Sequence, residues 1–158
     1  MGNINNVDAI NELKDNCKIP FSISNDSINT ERNDIYTTDI YKKRIEKEYK
    51  DIQIKNNCIS EGITLLERKV LKNDIIGWNV EMVGIIEGSE YFGKCSKLII
   101  IFPIYYPSEP PIIQFCDPIN HEMIDDKTSF ICISSLRPEN WSCHNLVSTI
   151  LIEIQSIL

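Results

Sequence analysis

Two amphipathic helical patterns bracketing a run of short strands predict an α+β fold. The expected order is an N-terminal helix, a four-stranded antiparallel meander, a long loop, and a C-terminal helix lying across the sheet. Three observations carry this. Ile45, Tyr49 and Ile52 recur four and three residues apart, on one helical face. Trp78, Val80 and Met82 alternate with the polar Asn79 and Glu81, the period of a half-buried strand. Val147, Ile150, Leu151, Ile154, Ile157 and Leu158 form a second helical stripe.

Taken in order, residues 1–36 are rich in Asn, Asp, Ser and Lys without sustained periodicity, which predicts a flexible N-terminal extension ahead of a core domain over 37–158. Thr38 or Asp39 can cap the first helix. Its opposite face carries Lys42, Lys43, Arg44, Lys47 and Lys50, a pattern that by itself reads as a solvated face. Strands are expected over Ile63–Val70, Ile76–Val83, Lys97–Phe102 and Ile112–Phe115. Asn73-Asp74, Glu87-Gly88-Ser89 and Tyr91-Phe92-Gly93 supply turn chemistry between them. From Cys116 to Asn145 almost no periodic signal remains, and a loop of that length inside a compact domain is usually functional. Asn145 is placed to cap the last helix.

Composition narrows the function. With 16 Lys and Arg against 23 Asp and Glu, the net charge of −7 speaks against a nucleic-acid binder, which needs clustered cations for phosphate contacts. No apolar run approaches the ~20 residues that span a bilayer. No uncharged leader segment is visible, so a cytoplasmic or nuclear protein is expected. The six cysteines include no CxxC pair, and neither His121 nor His144 stands at ligand spacing from them. No metal or cofactor is therefore expected. In a reducing compartment most of these thiols should be buried or idle, leaving one that is chemical.

Cys132 is the candidate. Between Ile131 and Ile133 a cysteine is ordinarily a buried core thiol, and its surroundings argue otherwise. Tyr-Lys-Lys-Arg-Ile-Glu-Lys-Glu-Tyr at 41–49, Gly-Trp-Asn-Val-Glu-Met-Val-Gly at 77–84, Tyr-Pro-Ser-Glu-Pro-Pro at 106–111, His121, Ile-Cys-Ile at 131–133 and Trp141-Ser142 occur in a fixed order. In this order and spacing the chain resembles the ubiquitin-conjugating enzyme family over residues 38–158. The resemblance implies that family's fold, and a carrier that holds ubiquitin or a ubiquitin-like modifier as a thioester on Cys132 and passes it to a substrate amine. It implies as partners the modifier, its activating enzyme, a protein substrate and a RING or HECT ligase, with neither nucleic acid nor membrane involved. Lys43, Arg44 and Lys47 match positions that meet the activating enzyme. Ser108 and Cys143 match ligase-contact positions. His121 falls where the family's histidine holds the loop.

The chain departs from the family at the reactive centre. The family's His-Pro-Asn is His121-Glu122-Met123 here, and methionine donates no hydrogen bond to a developing oxyanion. Asn120 or Asn140 can stand in for the lost donor. Ser134, where other members carry Asp, is similar to the W-type branch that modifies N-terminal amines, as is Gly-Ile-Thr-Leu-Leu-Glu at 62–67. Ser134 and Asn120 are thus expected near the attacking amine or the oxyanion. Ser108 replaces a frequent Phe, and Cys143-His144 replaces Pro-Ala. At Leu158 the chain stops short of the family's last two helices. Two other readings compete with the carrier: an inactive family member acting as an adaptor, and an RWD-like interaction domain that shares the fold and the Tyr-Pro-x-x-Pro-Pro turn.

Overall fold

A computed structural model describes residues 35–158, with side chains from Asp39 onward. The expected extension over 1–36 lies outside the described residues except for its last two, which belong to a helix. That helix, α1 (Ile35–Gln53), begins upstream of the cap sought at Thr38 or Asp39. Tyr41, Ile45 and Ile52 are buried and Tyr49 packs beside them, as the spacing requires.

The sheet has five strands in the order β1-β2-β3-β4-β5, all antiparallel: β1 (Cys58–Ser60), β2 (Ile63–Val70), β3 (Ile76–Val83), β4 (Cys95–Ile101) and β5 (Ile112–Phe115). This corrects the four-stranded expectation. Three residues are too few to show alternation, so β1 has no periodic signature of its own. It exists because the chain reverses at Glu61-Gly62, where Gly62 takes φ 77°, a left-handed conformation open to glycine at little cost. Asn56 and Asn57 also take positive φ and turn the chain out of α1 into β1.

One face of the sheet carries Ile63, Leu65, Trp78, Val80, Met82, Leu98, Ile100, Ile113 and Phe115, and both helices pack against it. Ile99 and Ile101 are buried on the opposite face with Leu71, Ile75 and Cys116. The continuous apolar run of β4 is therefore a strand covered on both sides. Between β3 and β4, Gly84 lies so close to Tyr91 that a Cβ there would stand 2.1 Å from its carbonyl oxygen, so only glycine fits.

The last helix, α2 (Val147–Ile157), buries Val147, Ile150, Leu151 and Ile154 in the main core. Asn145 does not cap it. Leu146 occupies the cap position without a side-chain bond, and Glu48 of α1 reaches across so that its Oε1 accepts the Val147 N–H at 2.9 Å. The capping acceptor thus comes from 99 residues away, beyond what local sequence can reveal.

Glu48 is the centre of a buried polar junction. Its Oε2 accepts from the Tyr106 hydroxyl and from Arg44 Nε at 3.2 Å. Arg44 also donates to the carbonyls of Cys143 (2.6 Å) and Asn145 (2.7 Å). Burial and the neighbouring Glu48 carboxylate push the Tyr106 phenol far above its ordinary range, so it remains a donor. Tyr41 similarly ties α1 to the sheet, donating to the Phe102 carbonyl (2.7 Å) and accepting from the Ile76 N–H (2.8 Å).

Candidate active site

The stretch from Cys116 to Asn145 has little regular structure but is firmly anchored. Ile119, Ile124, Ile131 and Ile133 are buried in the main core, too unevenly spaced to register as a period. Ile124 and Ile131 form an antiparallel bridge, and the Cys132 N–H donates to the Met123 carbonyl at 2.7 Å. Two short segments are thereby zipped together, one bearing His121 and Met123 and the other Cys132.

Burial alternates along the second segment. Ile131 is 7% and Ile133 4% exposed, whereas Cys132 between them is exposed with a free thiol. An extended backbone sends successive side chains to opposite sides, so the two isoleucines that make Cys132 look like a core residue are what turns it outward. Its Sγ lies 4.0 Å from the Phe130 carbonyl, a weak contact at most. A thiol placed this way is accessible to a macromolecular acyl donor and to an acceptor.

Cys58, Cys95 and Cys143 are also exposed free thiols, so exposure alone does not single out Cys132. They sit at strand ends and in a loop, where a small side chain finds no second layer. Cys17 lies outside the described residues. Burial, followed by a hydrogen bond that the thiol donates to the Glu81 carboxylate, pushes Cys95 up to about 11, which holds it in the unreactive protonated form.

His121 acts on the loop itself. Its Nδ1 accepts the Met123 N–H at 3.0 Å and its carbonyl accepts the Ile124 N–H at 3.0 Å. A neutral imidazole accepting at Nδ1 carries its hydrogen on Nε2. Met123 contributes a main-chain donor and a main-chain acceptor, while its side chain is 39% exposed and free of polar function. Asn120 is exposed, and its carbonyl accepts the Tyr91 hydroxyl at 2.8 Å, which fastens this segment to the β3–β4 turn.

Downstream of the cysteine a 3-10 turn spans Ser134–Leu136. Ser134 is exposed. Asn140 Nδ2 stands 3.0 Å from both the Ser134 carbonyl oxygen and the Ser134 hydroxyl. Ser135 donates to Glu153 of α2 at 2.9 Å, so the turn is held on two sides. Trp141 donates its indole N–H to the Pro107 carbonyl at 2.7 Å. It closes a row of rings running Tyr49, Trp78, Phe102, Tyr106, Trp141 from α1 across the sheet to the loop.

The remaining site residues expected from the sequence fall into two groups. Lys43 and Lys47 project from α1 into solvent and border a groove of about 640 Å³ between α1 and β2. Lys43 there pairs with Asp39 at 2.9 Å. Ser108 and Cys143 are exposed. Arg44, by contrast, is half-buried and spends its guanidinium on the internal junction with Glu48. Sequence reasoning placed Glu48 and Tyr106 within motifs but gave neither side chain a role. A glutamate at the spacing of the apolar stripe, three residues after Ile45, is the signal that was present.

Known proteins share this fold. A family model described as ubiquitin-conjugating enzyme matches residues 44–158. The chain is 32% identical over 116 residues to a probable ubiquitin-conjugating enzyme E2 31 of Arabidopsis thaliana, covering 73% of this chain and 69% of that protein. Ubiquitin-conjugating enzyme E2 27 of the same plant is also 32% identical, over 118 residues that span 73% of this chain and 56% of that one. Among solved structures, a Plasmodium vivax ubiquitin conjugating enzyme E2 matches with a TM-score of 0.60 at 32% identity, covering 73% of this chain and 98% of that one. The enzyme UbcA1 from Agrocybe aegerita matches at 0.59 and 27%, covering 73% and 79%. The family model covers every element from within α1 to the end of α2, and the exposed Cys132 falls inside it: this chain belongs to the ubiquitin-conjugating enzyme family.

Proposed function

We propose that the chain carries ubiquitin or a ubiquitin-like modifier as a thioester on Cys132 and hands it to a substrate amine. The observation that carries this reading is the exposed Cys132 thiol held between two buried isoleucines, with its N–H fixed to the Met123 carbonyl. The acyl group arrives by exchange between thiols and leaves when an amine attacks the thioester carbonyl. Lys43 and Lys47 present the charge that an activating enzyme would meet, and Ser108 and Cys143 lie exposed where a ligase would approach.

Charging with activating enzyme, ATP and a panel of modifiers, read on non-reducing gels, tests the reading. A thiol-sensitive adduct should form, vanish with Cys132→Ala and persist with Cys143→Ala. If no modifier gives an adduct, the adaptor reading takes its place.

The acceptor we propose is an N-terminal α-amine in preference to lysine. Position 134 carries a hydroxyl where a carboxylate would position and deprotonate a lysine. An α-amine, with an ordinary pKa of about 7.7–8.0 against about 10.4 for lysine, is already partly neutral near pH 7. Single-turnover discharge onto a lysine-free peptide with a free N-terminus should level off as pH passes about 8, where that amine becomes fully neutral. Discharge onto free lysine should be slower and still rising at pH 9. Rapid lysine discharge at pH 7 would remove the α-amine preference and leave the carrier reading in place.

A further inference from the structure

Asn140 is an exposed residue that nevertheless spends both hydrogens of its amide on one neighbour. Its Nδ2 lies 3.0 Å from the Ser134 carbonyl oxygen and 3.0 Å from the Ser134 Oγ. The carbonyl settles which way the amide points, since a flipped side chain would set two acceptors against each other. Asn140 itself is well placed to hold this geometry. Its own N–H and that of Trp141 both bond the Arg137 carbonyl at 2.9 Å, and the Trp141 ring is docked on Pro107.

The consequence is a matter of valence. A hydroxyl offers one hydrogen and two lone pairs, and Asn140 occupies a lone pair of Ser134. The hydroxyl hydrogen is thereby turned away from Asn140 and left to donate elsewhere. Ser134 is two residues past Cys132, exposed, on a turn pinned at Ile133 by burial and at Ser135 by Glu153. Met123, where the family carries its donor, has none to give.

We propose that Asn140 is a positioning residue that presents the Ser134 hydroxyl hydrogen to the acyl oxygen of a thioester on Cys132. When the amine nitrogen bonds to the thioester carbon, the C=O electron pair moves onto oxygen, and Ser134 Oγ–H stabilises the resulting oxyanion. Collapse re-forms C=O, breaks the C–S bond and returns the electron pair to Cys132 as thiolate, while the surplus amine proton passes to solvent. This role rests on the carrier reading.

Charging and single-turnover discharge onto a free-N-terminus peptide, measured separately, test it with five variants. Each variant is charged to completion before the amine is added, so that only the discharge step is read. Ser134→Ala should slow discharge on the order of 100-fold, the usual cost of one lost oxyanion donor. Asn140→Ala should slow it about tenfold, because the hydroxyl then rotates freely. Asn140→Asp should fall as far as Ser134→Ala, since a carboxylate accepts the serine hydrogen and draws it off the acyl oxygen. Combining Ser134→Ala with Asn140→Ala should be no slower than Ser134→Ala alone, because Asn140 acts only through the hydroxyl. Ser134→Thr should restore discharge. Normal charging with undiminished discharge in Asn140→Asp, or independent multiplying effects in the double variant, would overturn the inference alone. Failure of the unmodified protein to charge would overturn the carrier reading and this role with it.

Discussion

At the junction of α1, α2 and the Tyr106–Pro107 turn, charge and hydrogen-bonding capacity are matched inside the protein. Glu48 is 6% exposed and accepts from Arg44, Tyr106 and Val147. Around Cys132 the arrangement is reversed. Main-chain bonds and buried isoleucines hold the backbone, while Cys132, Met123 and Ser134 face solvent. The first region makes structure out of side chains and leaves little room for substitution. The second makes structure out of backbone, so its side chains are available to function and can change without unfolding the loop. Met123 illustrates this. Its N–H to His121 and its carbonyl to Cys132 are bonds that any residue but proline keeps.

Substitutions test the contrast most sharply at Glu48. Glu48→Ala leaves Arg44 without its carboxylate and the α2 terminus without its acceptor, and should cost about 3 kcal/mol in urea denaturation. A loss within experimental error would break the distinction between the two regions. Trp141→Phe keeps the ring row but removes the donor to Pro107, which should cost about 1 kcal/mol and loosen the turn that bears Asn140. Met123→Asn should leave stability within about 0.5 kcal/mol of the unmodified protein, because both backbone bonds persist. It should at the same time raise discharge onto lysine by supplying a donor. Reversing Lys43 and Lys47 to Glu should change stability least, about 0.5 kcal/mol or less for exposed charges, while slowing charging by the activating enzyme. If charging is unaffected, these lysines are a solvated face and nothing more.

Much of the scaffold was legible from periodicity. The apolar faces of α1 and α2 and the alternation of β3 translate directly into burial, because a core face must repeat with the geometry of its element. β1 was not legible. Three residues carry no period, and their pairing depends on a turn and on β2 as a partner. The cap of α2 was misread for a related reason: Asn145 is the local choice, but the acceptor arrives from α1. The Cys132 segment was legible in a different manner. Motif order marked the position, while the residue's immediate neighbours pointed to a core thiol.

What the sequence determined by itself is the set of faces: which side of each helix and strand is apolar, and that a cysteine stands within a long aperiodic stretch. Those follow from short-range geometry, in which a residue's direction depends only on its place in a repeat. What the tertiary structure decided is which groups meet. Arg44 looked like one more cation on a basic helix and turned out to be bonded to Glu48 and to carbonyls 99 and 101 residues away. Asn140 and Ser134 are six positions apart with nothing in their types to link them, and a 3-10 turn brings amide to hydroxyl. Hydrogen bonds are directional and short-ranged, so a polar partnership exists only once the backbone has closed the distance.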